Sequence, residues 1–389
     1  MNADVVERAL DWVNQQQAPM ERLIAELVNI SSHTPDRDGN TRVATHFADA
    51  ARALTKGGLD GGVVRSASGK YGDHVVFANG GGHAVLLVGH HDTVFPKAAF
   101  DGFREDGTLL RGPGVLDMKG GLVVVAYALG ALAHAGVLDR IPVRFVSISD
   151  EEIGSPEGRS LILEACKSSS AALVFESGRA GDQIVTRRKG LGGLSVVAHG
   201  KAGHAGNAHA DSVNAIWAMS RFVDRAQQLT NYDRGVTVNV GRIAGGIGKN
   251  TVPDRAEALV DFRYLTAPDG EALLAGLREA AREAAAGVAG ARIDIEGGIT
   301  RAPLERTDAS GALLGEYAAC AHAAGLGTAE APLIGGGSDA NTVAQAGIPA
   351  IDGLGPRGKG FHTVDEFIER DSLLPKTAAL VRFLVGRLH

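Results

Sequence analysis

The chain has 389 residues, enough for two or three domains at about 150 residues each. Apolar residues make up 44% and charged residues 22%, which supplies a large core and excludes an intrinsically disordered chain. A net charge of −6 with a pI near 6.1 argues against a general nucleic-acid binder. Cys166 and Cys320 lie outside any CxxC spacing, which excludes a disulfide scaffold and a thiolate zinc site.

Residues 3–30 carry apolar positions at helical spacing and show neither the basic nor the apolar segment of an export signal. Residues 41–57 repeat the helical pattern and stop at Gly57-Gly58. Short apolar runs at 74–78, 84–89, 143–149 and 172–176 read as buried strands, with an apolar helix at 120–135 between two of them. Strands apolar on both faces and separated by helices indicate an α/β layer covered on both sides. From 194 to 265 the strands instead alternate apolar and polar residues, at 194–202, 236–246 and 257–265, with helices at 211–229 and 268–287. That pattern predicts a smaller, half-exposed α+β layer inserted in the first. A helix at 309–325, a strand at 348–352 and a helix near 371–388 resume the α/β texture. The expected domains are 1–188 with 303–389, and the insert 189–302. No apolar run approaches the 18 residues of a membrane span, so no membrane partner and a cytoplasmic location are expected.

The chemistry gathers at strand ends, where open α/β sheets bind ligands. AVLLVG runs into HHDTVFP, so His90 and Asp92 share a face and His91 points away. RGPGVLDMKGG places Asp117 in a glycine-rich loop before the apolar helix. VRFVSIS runs into Asp150-Glu151-Glu152, ALVFE ends on Glu176, and GKGFHTVDEF carries His362. Three carboxylates after a buried strand are costly without a compensating cation. Two His with several carboxylates suit Zn²⁺, Mn²⁺ or Co²⁺. Five candidate ligands are too many for one tetrahedral ion and suit two that share a carboxylate. His46, His74, His83, His134, His199, His322 and His389 lack metal partners at useful spacing. GLGPRG at 353–358 matches GxGxxG but opens no helix, and no GxSxG elbow occurs.

Eight motifs in order (GHHDTVFP, RGPGVLDMKGG, SDEEIGS, VFES, GKAGHAG, GGIGKNTVPDRAEALVDFRY, GGGSDAN and GFHT) span nearly the whole chain. Together they resemble the M20 metallopeptidase family, most closely its carboxypeptidase G2-like branch with aminoacylases and acetylornithine deacetylase-type enzymes. The resemblance implies an α/β metal-binding catalytic domain, a mixed sheet flanked by helices, with an inserted α+β dimerisation or lid domain. It implies that Asp117 bridges two divalent metal ions, with zinc the first choice and Co²⁺ or Mn²⁺ as alternatives. His90 and Glu176 would hold one ion, and Glu152 and His362 the other. Asp92 would orient His90, and Glu151 would be the general base. His204, reaching the site of a partner subunit, would steady the oxyanion. Asn250, Arg263 and Gly335-Gly336-Gly337 match substrate-binding positions, and Arg301 matches the anchor for a substrate carboxylate. The Pro-Glu pair that often follows the insert's His is replaced by His209 and Ala210. The implied activity is cleavage of an amide next to a free carboxylate, releasing a C-terminal amino acid such as glutamate. An N-acyl-amino-acid deacylase, a non-catalytic metal-binding protein, and an isomerase or deaminase on the same scaffold stay open.

Overall fold

A computed structural model describes residues 2–99 and 102–388, so His389 lies outside the described residues. The described residues form two compact units. The first runs up to Arg187 and includes Arg306–Leu333 and the chain from Ser338 onward; the second is Arg188–Glu305 with Ile334–Gly337. Residues 334–337, expected in the first unit, thus leave it and join the second.

The first unit is built on a six-stranded mixed sheet. Its strands are ordered Asp60–Val64, His74–Asn79, Val143–Ile148, Ala84–His90, Ser169–Val174 and Ala350–Ile351. The first three pair antiparallel, and the last four run parallel. Ala84–His90 lies inside the sheet and is buried at every position, as a strand covered on both faces must be. Helices Asn2–Val13, Gln17–Val28, Arg37–Leu54 and Leu373–Val385 pack around the apolar helix Gly120–His134. The stretch 3–30 is therefore two helices; Pro19, in the first turn of the second, marks the break.

Residues 115–134 are a long apolar stretch of the first unit. By length and apolar composition this helical stretch is able to cross a membrane, with a mean hydropathy of 1.6 in its most apolar window, yet that window is wholly buried. It is a core helix: the unit's other helices take the place of lipid.

The second unit is a four-stranded antiparallel sheet ordered Thr237–Gly245, Arg255–Tyr264, Gly190–His199 and Arg292–Arg301. Helices Ala215–Gln227 and Ala267–Ala286 cover one face and bury Phe222, Met219 and Leu277 against Phe262 and Val196. Arg292–Arg301 was not expected as a strand. Its paired glycines, Gly297 and Gly298, mask the alternation, and a Cβ at Gly297 would meet the carbonyl of Gly193.

Candidate metal centre

Parallel pairing explains why distant motifs meet. His90 is in register with Ile148, and Val88 with both Val146 and Val174. Three neighbouring strands therefore end together, delivering His90, the 150–152 turn and Glu176 to one edge. Glycines let the 112–121 loop approach that edge. Gly114 adopts a left-handed φ of 73°, and a Cβ at Gly121 would collide with the carbonyl oxygen of Phe175. Asp117 consequently sits between two imidazoles. Its Oδ1 is 3.4 Å from His90 Nε2 and its Oδ2 is 3.3 Å from His362 Nε2. His90 Nε2 also lies 3.9 Å from Glu176 Oε1, and His362 Nε2 lies 3.1 Å from Glu152 Oε2.

His90, Glu151 and Glu176 offer ligand atoms that all lie within 4.8 Å of one another, and Asp117, Glu152 and His362 form a second such group. Asp92 is fully buried behind the first group. Its Oδ1 accepts from Glu151 N at 3.1 Å, and its Oδ2 from Glu152 N at 3.2 Å and Thr34 Oγ1 at 2.8 Å. His90 Nδ1 faces both the Asp92 carbonyl at 3.1 Å and Asp92 Oδ1 at 3.3 Å. Two acceptors at Nδ1 place the proton there and leave the Nε2 lone pair toward the cluster. His91 turns away, with Nδ1 2.9 Å from Ser147 Oγ and Nε2 3.0 Å from Asp73 O, and burial pushes its pKa down to about 3.

The electrostatics show a site short of positive charge. Burial opposes a charge on His90, but Asp117 and Asp92 outweigh it and hold its pKa well above the usual value. Asp117 and Glu152 raise His362 to about 10. Burial, then the charge of Asp117, pushes Glu176 well up, and burial raises Glu152 against the pull of His362. Asp117 Oδ1 is buried without a hydrogen-bond donor. Five carboxylates around two imidazoles, with an orphaned oxygen between the imidazoles, fit a pair of divalent cations. Unlike a proton, such ions satisfy several carboxylates at once.

The second unit gathers the other singled-out residues in two places. His204 and Asn250 are neighbours: Ala205 N donates to Asn250 O at 2.9 Å, and both side chains are exposed. His204 Nδ1 accepts from Gly206 N and Asn207 N, each at 3.2 Å, so the ring proton is on Nε2. Arg301 is buried, and its Cδ would be 3.3 Å from a Cβ at Gly337. Arg188 Nη1 donates to Gly336 O at 3.2 Å and so holds the exposed Gly335-Gly336 turn. Arg263 is register partner to Leu191, as is Arg301 on the other side. Its guanidinium is engaged bidentately by Asp261 at 2.7 and 2.8 Å.

A family model for peptidase family M20/M25/M40 matches residues 86–386. The chain belongs to that family. It is 32% identical over 355 residues to carboxypeptidase G2 of Pseudomonas sp. (strain RS-16), covering 90% of this chain and 84% of that protein. It is 35% identical over 202 residues to acetylornithine deacetylase of Myxococcus xanthus, covering 48% and 51%. Its fold matches Bacillus subtilis YXEP protein, a dinuclear metal-binding peptidase of the M20 family, with TM-score 0.69 at 17% identity over 96% of this chain and 98% of that one. This M20 chain is accordingly an enzyme of the metallopeptidase/amidohydrolase type.

Two side chains at the M20 site escape a sequence reading. Thr34 is one. The other, Glu366, is completely buried and accepts from Gly114 N at 3.1 Å, Leu116 N at 2.8 Å and Asp117 N at 2.9 Å. Burial pushes its pKa up to about 7 against those amides. In the string TVDEF it looks like a surface carboxylate; only its place four residues after His362 signals otherwise. Among the discounted histidines, His74 is buried and accepts from Ser149 N at 3.2 Å, His46 pairs with Glu26 and His199 with Asp294.

Proposed function

We propose that this M20 enzyme is a dimetal hydrolase that cleaves an amide bond next to a free carboxylate, in the manner of a carboxypeptidase releasing a C-terminal amino acid such as glutamate. One observation carries the reading: Asp117 presents one oxygen to each of two imidazoles, each of which has a further carboxylate beside it. Asp117 is the shared ligand, His90 and Glu176 complete one site, and Glu152 and His362 the other, with Zn²⁺ the first choice for this donor set and Co²⁺ or Mn²⁺ the alternatives. Two divalent ions held there would supply Lewis acidity, which lowers the pKa of an attacking water toward neutrality. Glu151 takes the proton of the attacking water and returns it to the leaving nitrogen as the C–O bond forms and the C–N bond breaks. Its carboxylate lies in the His90 group, so geometry alone also allows it as a ligand.

In this reading Arg301 binds the substrate carboxylate as a planar fork. Asn250, Arg263 and the amides of Gly335–Gly337 take other substrate oxygens, and His204 Nε2–H steadies the oxyanion of a partner subunit. A homodimer through the second unit is supported by its edge strand Thr237–Gly245, where Ile243 is 55% exposed, and by Ile247 just beyond it at 92%. The similarity to acetylornithine deacetylase keeps a deacylase as the second reading. The test is an activity screen of metal-loaded protein over peptidyl and N-acyl amino acids, with the C-terminal residue varied. Preference for peptidyl or aroyl glutamates supports the first reading, preference for N-acetyl amino acids the second, and inactivity on every amide refutes both.

A further inference from the structure

The loop that carries Asp117 has little regular structure to hold it. Gly112 and Gly114 take positive φ values of 150° and 73°, and Asp117 itself is non-helical at φ −117°, ψ 88°. Hydrogen bonding of its backbone therefore falls to a side chain. Glu366 Oε2 accepts from Gly114 N, and Oε1 accepts from both Leu116 N and Asp117 N. A charged carboxylate has the lone pairs to take all three bonds, which a neutral amide lacks. At the loop's far end, buried Lys119 donates from Nζ to Leu27 O at 3.0 Å and Ile30 O at 3.1 Å, so both ends are pinned.

Glu366 also belongs to the segment that presents His362. Thr363 N and Oγ1 both donate to Gly360 O, and Glu366 N donates to Thr363 O at 3.2 Å, making a compact turn from 360 to 366. His362 sits in that turn at a left-handed φ of 63°. A single side chain thus joins the loop of Asp117 to the turn of His362, two residues that approach within 3.3 Å. Asp92 does the corresponding task for Glu151 and Glu152.

We propose that Glu366 is a positioning residue of the metal centre, which sets the shared carboxylate Asp117 against His362 by clamping the amides of Gly114, Leu116 and Asp117. The proposal rests on the reading of Asp117 as the ligand common to two ions. Because both ions would share Asp117, disturbing its placement weakens both sites, whereas removing an unshared ligand weakens one.

The test titrates metal-free protein with Co²⁺ alone, followed by calorimetry and visible absorbance, for wild type, Glu366→Gln, Glu366→Asp and the ligand control Glu152→Gln. Far-UV circular dichroism and thermal melting of the metal-free proteins report the fold. Wild type is expected to take two equivalents, and Glu152→Gln to lose affinity for one. Glu366→Gln is expected to keep its secondary structure, to bind both equivalents roughly 10- to 100-fold more weakly, and to show an altered cobalt band at saturation. Glu366→Asp keeps the charge one methylene short, and an intermediate loss supports the proposal. Wild-type cobalt affinity and spectrum in Glu366→Gln would overturn it. Failure of both Glu366 variants to fold would overturn it too, assigning the residue to stability alone. A wild-type protein that takes no Co²⁺ is a separate result, which refutes the dimetal reading itself.

Discussion

Replacing Asp92 with Asn removes one charge and one acceptor while preserving shape. Asp92 Oδ2 serves Thr34 and Glu152 N, and Oδ1 serves Glu151 N and faces His90 Nδ1. If the new amide oxygen stays with Thr34 and Glu152, its NH₂ meets the Glu151 N–H and the His90 Nδ1–H. One buried donor then loses its acceptor, at about 1–3 kcal/mol. His90 relieves the other conflict only by moving its proton to Nε2, which removes the lone pair facing Asp117 and Glu176. The Asp92 carbonyl, 3.1 Å from Nδ1, resists that change. The two effects together predict a loss of ~1.4–2.8 kcal/mol, or roughly 10- to 100-fold, in affinity for the ion at His90. Turnover should fall by a similar factor at limiting metal. Calorimetric titration of metal-free protein with Co²⁺ measures the first quantity, and initial rates against added metal the second. An Asp92→Asn protein with both cobalt affinities and kcat unchanged would refute the role of Asp92 in orienting His90.

Three further outcomes follow from the same geometry. Glu151→Gln should retain two metal ions by elemental analysis yet lose about 10²–10⁴-fold in kcat; loss of an ion instead would make Glu151 a ligand. Arg301→Ala should lower kcat/KM on free-acid substrates by roughly 30- to several-thousand-fold, the equivalent of about 2–5 kcal/mol. Amidating the substrate's carboxylate should then cost wild type a similar factor and the variant little, and equal sensitivity would remove Arg301 from carboxylate binding. Mixing inactive Glu151→Gln with inactive His204→Ala subunits should regain activity in hybrid dimers, whereas silence of a mixture shown to exchange subunits would confine His204 to its own chain.

The cluster of ligand-type side chains was legible because strands apolar at every position can only be buried, so the polar residues at their ends are conspicuous. His90, Glu152 and Glu176 follow from that rule, and parallel register explains why their strand ends meet. Glu366 was not legible. Burial of a lone carboxylate in TVDEF depends on three amides some 250 positions earlier in the chain, and no local pattern encodes such a partner. Residues 334–337 group with the second unit, where Arg188 donates to Gly336 O across 148 positions, a contact that no local pattern encodes. The apolar helix was legible from its composition and from the buried strands on either side of it in the chain, and it is a core helix.

The central claim is that Asp117 is shared by two metal ions. Anomalous X-ray diffraction from crystals grown with Zn²⁺, recorded on both sides of the zinc edge, tests it most directly. The account predicts two zinc peaks per chain, one contacted by His90 and Glu176, the other by Glu152 and His362, and both contacted by Asp117. A single fully occupied peak at Asp117, or zinc bound only elsewhere, would contradict it.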